Sequence, residues 1–160
     1  MKPVRSVGDP VANGLMKMGN FFVKGILNSP LHPLMSASTA VISVTGRKSG
    51  RIYTIPVNYE REGNEVTITS ARDRTWWKNL RGGSEVRLCI KGECYSAQAV
   101  AVEGDDIVGA YLDALLLQQP NLARIYGVKK GEDGSFRRAD LERAASERVL
   151  IKAVLSDTVN

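Results

Sequence analysis

The sequence has few of the residue types on which many active sites depend. It contains a single histidine, His32, only 2 cysteines, and aromatic residues make up 6% of the chain. It shows no Ser-His-Asp arrangement, no cluster of metal ligands and no reactive cysteine in a basic pocket, so neither nucleophilic nor metal-dependent catalysis is indicated. We therefore expect no metal, and we assign no chemistry to His32, which stands between Leu31 and Pro33.

Long apolar runs are also missing from the start of the chain. Asp9 and Pro10 interrupt the charged start, and polar residues break up the segment that follows, so it does not resemble a secretory signal. We expect a cytoplasmic protein, in which Cys89 and Cys94 would be free thiols. A two-residue turn at Lys91-Gly92 would nevertheless place the two cysteines opposite each other across a hairpin, where a disulfide is permitted.

Positive charge is concentrated in the first third of the chain. The formal net charge is +5, and Asp9 is the only anion among residues 1–51, against seven lysines and arginines. This imbalance favours an anionic partner. Because no RNA- or DNA-binding signature accompanies it, we expect a small anionic ligand and no nucleic acid.

Residues 10–28 are predicted to form an amphipathic helix. Leu15, Met18, Phe22 and Ile26 recur at helical spacing, and polar residues occupy the opposite face. Most helices of this kind pack on the protein core. The lysines of the polar face also fit peripheral contact with a membrane, so a membrane-associated protein is the alternative.

The rest of the chain predicts a mainly β domain of the α+β class. Strands are predicted at residues 39–45, 51–59, 66–70, 86–90, 94–102 and 149–155, and helices at 76–80, 107–119 and 138–147. Hairpin links dominate, which favours an antiparallel β-barrel with peripheral helices. At 160 residues the chain suits one domain, so residues 1–160 are predicted to form a single barrel domain.

The most informative segment is the turn Thr45-Gly46-Arg47-Lys48-Ser49-Gly50 between the first two predicted strands. Its glycines permit a tight turn that faces a ligand, and its cations and hydroxyl concentrate hydrogen-bond donors in one place. A phosphate or carboxylate would satisfy these donors. Taken alone, the pattern is more typical of a solvated hairpin whose charges keep an edge soluble.

Together with Thr54, Pro56, Ser70 and the segment Trp76–Gly83, this turn resembles the deazaflavin-dependent nitroreductase family. The resemblance covers residues 39–102, and residues 131–155 are similar to one subgroup of the family. It implies a split β-barrel that binds coenzyme F420, a deazaflavin with a phosphodiester and an oligoglutamate tail. It also implies that the barrels can pair as a homodimer.

The resemblance further implies which residues bind the coenzyme. The turn would hold the phosphate and the acidic tail, the second predicted strand would line the ring, and the tryptophan segment would bound the pocket. The predicted set is Arg47, Lys48, Ser49, Arg51, Thr54, Pro56, Val57, Asn58, Ser70, Arg72, Trp76 and Asn79. Trp76 is equally well explained as a core anchor, Pro56 as an edge-strand residue, and Trp77 is expected at the surface.

The resemblance implies an oxidoreductase in which reduced F420 gives hydride to a small-molecule acceptor such as a quinone, enone or nitro compound. No catalytic side chain is assigned, because the coenzyme carries the chemistry. Tyr53 stands where nitroimidazole-reducing relatives have an additional arginine, and Tyr126 is the main tyrosine left in the substrate region. The alternatives are an FMN-dependent reductase and a non-catalytic binder of a lipid, a haem-like pigment or a flavin.

Overall fold

The structure is a computed structural model in which residues 39–159 are described, apart from the side chain of Asp157. The strands are β1 (Thr39–Thr45), β2 (Ile52–Glu62), β3 (Glu65–Ala71), β4 (Ser84–Ile90), β5 (Glu93–Val102) and β6 (Arg148–Thr158). All neighbouring strands are antiparallel, and they close into a barrel in the order β1-β2-β3-β6-β5-β4. The predicted split-barrel class is confirmed. The predicted helix at 10–28 and His32 lie outside the described residues.

The alternation of side chains along the strands explains the barrel core. Successive residues of a strand point to opposite faces, so every second residue can enter the interior. Ile42, Val57, Ile68, Leu88 and Ile151 belong to one buried cluster that the strands enclose. The residues between them face outward, and it is this outer surface that carries the candidate site.

Within residues 39–159, two helices and two short 3₁₀ helices accompany the barrel. Helix α1 is Asp105–Gln118, α2 is Arg138–Ser146, and the 3₁₀ helices are Trp76–Leu80 and Pro120–Arg124. Helix α1 and the second 3₁₀ helix bury apolar residues against Leu150 of β6, forming a second cluster. No helix among the described residues has the length and apolar character needed to cross a bilayer.

Both tryptophans of the first 3₁₀ helix are buried. Trp76 is 8% exposed and Trp77 is 1% exposed. The indole N–H of Trp77 donates to the carbonyl of Arg72 at 3.3 Å, and the Arg81 guanidinium lies 5.1 Å from its ring centre. The expectation that Trp77 is a surface residue is therefore wrong. Both indole rings of the short helix, and not that of Trp76 alone, pack against the barrel core.

The two cysteines are also bonded to each other. Cys89 and Cys94 form a disulfide, and their Cα atoms are 4.0 Å apart. The expectation of free thiols therefore differs from the structure. The physical reason is the register of the β4–β5 hairpin, which places the two residues directly opposite each other.

Strand β2 has two halves with different neighbours. It pairs with β1 over residues 52–58, but its pairing with β3 begins only at Asn58 opposite Thr69. Residues 52–57 therefore have one edge without a strand partner among the described residues. Pro56 lies in this half, which agrees with the rule that a strand proline occupies an edge where no N–H is needed.

Candidate functional site

The basic turn, residues 46–51, has a conformation that favours glycine at two places. A Cβ atom on Gly46 would lie 2.6 Å from the Ser49 hydroxyl oxygen and 2.8 Å from the Tyr53 ring, and Gly50 has a φ angle of +68°. The Gly46 N–H donates to the Arg51 carbonyl at 2.7 Å, and the Gly50 N–H donates to the Gly46 carbonyl at 2.9 Å. The turn is thus a defined loop that presents its side chains outward.

One cation of the basic turn is used to hold the protein together. The Arg47 guanidinium donates to the carbonyl of Arg81 and, at 3.4 Å, to that of Gly83. The Arg47 backbone N–H donates to the Asn79 side-chain oxygen at 3.0 Å, and the Asn79 amide donates to the Trp76 carbonyl at 2.9 Å. Arg47 and Asn79 therefore attach the turn to the first 3₁₀ helix, which leaves them less free to bind a ligand.

The other two cations of the turn have no such contacts. Lys48 and Arg51 are exposed, and within residues 39–159 their side chains make no hydrogen bond or ion pair. Ser49 is exposed as well, and its hydroxyl oxygen accepts from the Arg51 backbone N–H at 3.2 Å and lies 3.3 Å from the Tyr53 hydroxyl oxygen. These residues give the turn an unpaired positive charge that faces solvent.

The outer face of β2 leads away from this turn. Thr54, Pro56 and Asn58 alternate with residues that point inward, such as Val57. The Thr54 and Ser43 hydroxyl oxygens lie 3.2 Å apart. Val57 can contribute only its backbone, because its side chain is in the core. From Ile52 to Asn58 the strand extends about 20 Å, at roughly 3.3 Å per residue.

Asn58 opens onto a groove of about 920 Å³. The outer residues Asn58, Glu60, Thr67 and Thr69 of β2 and β3 contribute to its floor. Its wall comes from α1 and the segment after it, with Tyr111, Leu115, Leu122, Ile125 and Tyr126, and Ile90 and Lys91 at the tip of the β4–β5 hairpin form its lip. The floor is polar and the wall is largely apolar, a combination that suits a flat ligand with polar edges.

Tyr111 is the most unusual polar group of this groove. Its hydroxyl is buried and has no hydrogen-bond partner among the described residues. Burial raises the pKa of the Tyr111 hydroxyl, with the nearby charge of Glu60 as a second cause. The Lys152 ammonium lies 5.2 Å from the Tyr111 ring centre and donates to the Thr67 hydroxyl at 2.9 Å. The hydroxyl is therefore a neutral donor that lacks an acceptor.

Among the predicted site residues Asn58 alone lines this groove, and three others lie away from the β2 surface as well. The Arg72 guanidinium donates to the carbonyl of Arg148 at 2.9 Å and that of Glu103 at 3.0 Å, and it pairs with the Asp105 carboxylate at 2.7 Å. Ser70 is buried, and its hydroxyl donates to the neighbouring carbonyl of Ala71 at 3.3 Å. Trp76 is part of the barrel core. The structure thus groups Lys48, Ser49, Arg51, Thr54, Pro56 and Asn58 along one surface and sets the others apart.

A second hollow, of about 1000 Å³, lies between α1, α2 and the loop before α2. Its lining includes the carboxylates of Asp105, Asp106, Asp113 and Glu142, with the cations Lys130 and Arg138. An anionic ligand would meet more negative than positive groups there. The surface along β2 is therefore the better candidate.

The sequence matches a model of the F420H(2)-dependent quinone reductase family over residues 27–129. The chain belongs to this family. The match spans the basic turn, the whole of β2 and β3, and the helix α1 that carries Tyr111. No curated protein matches the sequence of this family member.

Two solved structures show the same fold as this family member. A pyridoxamine-5'-phosphate-oxidase-like protein from Listeria innocua is 11% identical, with a TM-score of 0.51 over 89% of this chain and 96% of that one. A protein of unknown function from Agrobacterium tumefaciens is 15% identical, with a TM-score of 0.53 over 79% of this chain and 52% of that one. At such identities the likeness concerns the fold alone. A solved F420 reductase is 14% identical over 82% of this chain and 97% of that one, but its TM-score of 0.46 is too low for a structural conclusion.

Several groove residues were not predicted from the sequence. Thr69 could have been found, because alternation places it on the outer face of β3 and hairpin pairing places it opposite Asn58. Tyr111 gave no such signal, since its helical spacing marks it as an ordinary core residue. Only the packing of α1 against β6 brings its hydroxyl to the groove.

Proposed function

We propose that this protein is an oxidoreductase that uses reduced F420 as hydride donor to a small quinone, enone or nitro-type acceptor. The observation that carries the proposal is the continuous surface along β2, which joins unpaired cations at one end to a groove about 20 Å away at the other. F420 has the same layout, with a polyanionic tail at one end and a planar ring at the other. Family membership supports the same coenzyme.

The residues present fit the coenzyme at both ends. Lys48 and Arg51, with the Ser49 hydroxyl, would hold the phosphodiester and glutamate carboxylates through charge-assisted hydrogen bonds. Thr54, Pro56 and the backbone edge of residues 52–57, which has no strand partner within residues 39–159, would line the path to the ring, and Asn58 would meet its polar edge. When bound, the reduced coenzyme supplies a hydride, so no side-chain nucleophile is needed.

The groove would orient the acceptor. Leu115, Leu122 and Ile125 offer an apolar wall that excludes water from one side of a flat molecule. We propose that the Tyr111 hydroxyl donates a hydrogen bond to the acceptor's oxygen, since a buried hydroxyl without a partner costs free energy that such an acceptor would recover. This contact would hold the acceptor in one orientation for hydride transfer.

A binding titration tests the coenzyme directly. Purified protein is titrated with F420, with FMN and with a fatty acid, and tryptophan emission is recorded. We expect F420 to bind in the micromolar range or tighter, and reduced F420 to be oxidised when a naphthoquinone such as menadione is added. Binding of FMN with no binding of F420 would favour an FMN-dependent reductase. Binding of the fatty acid alone would favour a non-catalytic carrier.

Pairing as a homodimer, peripheral membrane contact and a cytoplasmic location stay predictions. They depend in part on residues 1–38, whose structure is not described. Light scattering of the full chain and sedimentation with anionic lipid vesicles would test the first two.

A further inference from the structure

We propose that Cys89 and Cys94 form a reversible dithiol–disulfide site that exchanges with small thiols and loosens the lip of the groove when it is reduced. The site lies on β4 and β5, with β1 between it and the coenzyme surface on β2, and the proposal does not depend on the function proposed above. It rests on four observations: the register of the hairpin, the size of the ring that the bond closes, the partial exposure of the two cysteine residues and the charges beside them.

The hairpin brings the two cysteines together whether or not they are bonded. Seven residue pairs join β4 and β5, from Ser84 opposite Ala99 to Ile90 opposite Glu93, and Cys89 faces Cys94 within this ladder. The turn between them, Lys91-Gly92, has φ angles of 49° and 87°, which suits a two-residue hairpin connection. Because the backbone pairing sets the separation, the bond can open and close without moving the strands.

The bond is poorly placed to stabilise the fold. A disulfide gains most when it closes a long loop of the unfolded chain, and this one joins residues only 5 positions apart. The hydrogen-bonded ladder already joins the same residues. A bond that contributes little to stability can be reduced without unfolding the protein, which a reversible site requires.

The two cysteine residues are partly open to solvent, so a small thiol can approach them. Cys89 and Cys94 are on the outer face of the barrel, and both are only partly buried. Arg87 precedes Cys89 by two residues on the same face, and Lys91 follows it by two residues. Glu93, next to Cys94, is on the other face of the hairpin and accepts a hydrogen bond from the Tyr95 hydroxyl. Glu85 shares the outer face, beyond Arg87, and accepts a hydrogen bond from the Ser96 hydroxyl at 3.0 Å. Cations beside a cysteine stabilise its thiolate.

These charges indicate the order of the exchange reaction. An external thiolate attacks the Cys94 sulfur, the Cys89–Cys94 bond breaks, and Cys89 leaves as the thiolate that Arg87 and Lys91 stabilise. A second external thiolate then attacks the external sulfur of the mixed disulfide and releases Cys94. The net reaction consumes two small thiols, forms their disulfide and leaves two protein thiols, which take up the two protons released by the small thiols.

The consequence of the exchange reaches the groove through the hairpin tip. Ile90 and Lys91 lie between the two cysteines and form the lip of the groove. While the bond is closed, the four residues between the cysteines are held at both ends. Reduction removes this constraint at the tip and leaves the rest of the ladder in place, so only the lip should become more mobile.

The experiment equilibrates the native full-length protein in buffers of reduced and oxidised glutathione, approached from both directions. Samples are quenched with acid and alkylated with N-ethylmaleimide, and their masses are measured by mass spectrometry, while circular dichroism reports the fold. We expect both thiols to appear together. The fraction of dithiol should depend on the glutathione ratio in the same way from either direction, and the dichroism should not change. A bond that resists excess thiol until the protein is unfolded, or a dithiol that never re-forms the bond, would overturn the proposal.

Two matched single variants test the order of attack. In Cys94→Ser the remaining thiol is Cys89, and in Cys89→Ser it is Cys94. We expect Cys89 to react with iodoacetamide about threefold faster than Cys94 at neutral pH, because its thiolate is favoured by the two cations. Adding Lys91→Asn to Cys94→Ser removes one cation, keeps a residue that tolerates the turn, and should reduce this advantage. Equal rates would overturn the assignment of Cys89 as the leaving thiolate.

Hydrogen exchange tests the effect on the lip. On reduction, we expect the amides of residues 90–93 to exchange several-fold faster, while the turn of the β2–β3 hairpin at Gly63-Asn64 serves as an internal control and stays unchanged. An unchanged rate at residues 90–93 would overturn the proposed loosening of the lip.

Discussion

The basic turn and the surroundings of Arg72 use the same kind of residue for opposite purposes. Both contain arginines that the sequence pattern assigned to a ligand site. Arg72 donates to carbonyls of Glu103, Ala145 and Arg148, so it joins the end of β5, the end of α2 and the start of β6. In the turn, Lys48 and Arg51 extend into solvent and have no such partners within residues 39–159.

The difference lies in what satisfies the donors. A guanidinium whose N–H groups meet backbone carbonyls cannot offer the same groups to a phosphate, and removing it leaves those carbonyls unpaired. An exposed cation without a partner contributes little to the free energy of unfolding, and its N–H groups remain available to a ligand. Membership of the basic turn does not decide whether a cation is paired. Arg47 lies inside the turn, yet it donates to the carbonyls of Arg81 and Gly83.

The largest expected effect concerns the stability that Arg72 provides. We expect Arg72→Ala to lower the free energy of unfolding by about 3 kcal/mol, because partly buried carbonyls lose their donors. Urea unfolding followed by circular dichroism measures the change. Arg74→Ala is the matched control, because Arg74 is exposed and makes no side-chain hydrogen bond or ion pair within residues 39–159. Equal losses of unfolding free energy in Arg72→Ala and Arg74→Ala would contradict the structural role assigned to Arg72.

The next effect concerns affinity rather than stability. We expect Lys48→Ala and Arg51→Ala each to weaken F420 binding about tenfold, roughly 1.4 kcal/mol, while unfolding changes by less than about 0.5 kcal/mol. Fluorescence titration at low and high salt measures the affinity. Added salt should weaken F420 binding by the wild-type protein more than F420 binding by either variant. Lys129→Ala, which changes an exposed lysine outside the groove, is the control. Unchanged affinity in both variants would remove the turn from the site.

The smallest effect separates the groove from the turn. We expect Tyr111→Phe to raise the KM for menadione about fivefold, close to 1 kcal/mol, with F420 affinity and stability nearly unchanged. Burial raises the pKa of Tyr111, so its hydroxyl stays protonated at neutral and mildly alkaline pH, and the ratio of the two KM values should not vary there. Tyr126→Phe, whose ring packs on Arg148, is the control. A loss of F420 affinity in Tyr111→Phe would instead indicate that Tyr111 contacts the deazaflavin ring and not the acceptor.

Much of the barrel could be predicted because its signals are local. The alternation in residues 39–45 and 52–59 specifies which side chains enter the core, and the turns at Gly46–Gly50 and Lys91-Gly92 join neighbouring strands. The exposure of Trp77 and the redox state of the two cysteines were predicted wrongly for different reasons. The burial of Trp77 depends on how its short helix packs on the barrel. The placement of the cysteines opposite each other was predicted, but their redox state was judged from the expected compartment.

By itself the sequence determined the elements, their antiparallel order, the family and the one turn rich in cations, because periodicity and turn chemistry act over a few neighbouring residues. The tertiary structure alone decided which of those cations stay unpaired. Arg47 meets Gly83 and Arg72 meets Arg148, pairs separated by 36 and 76 positions. Such donors find their carbonyls only when the barrel closes, so whether a cation serves the fold or a ligand is settled by packing.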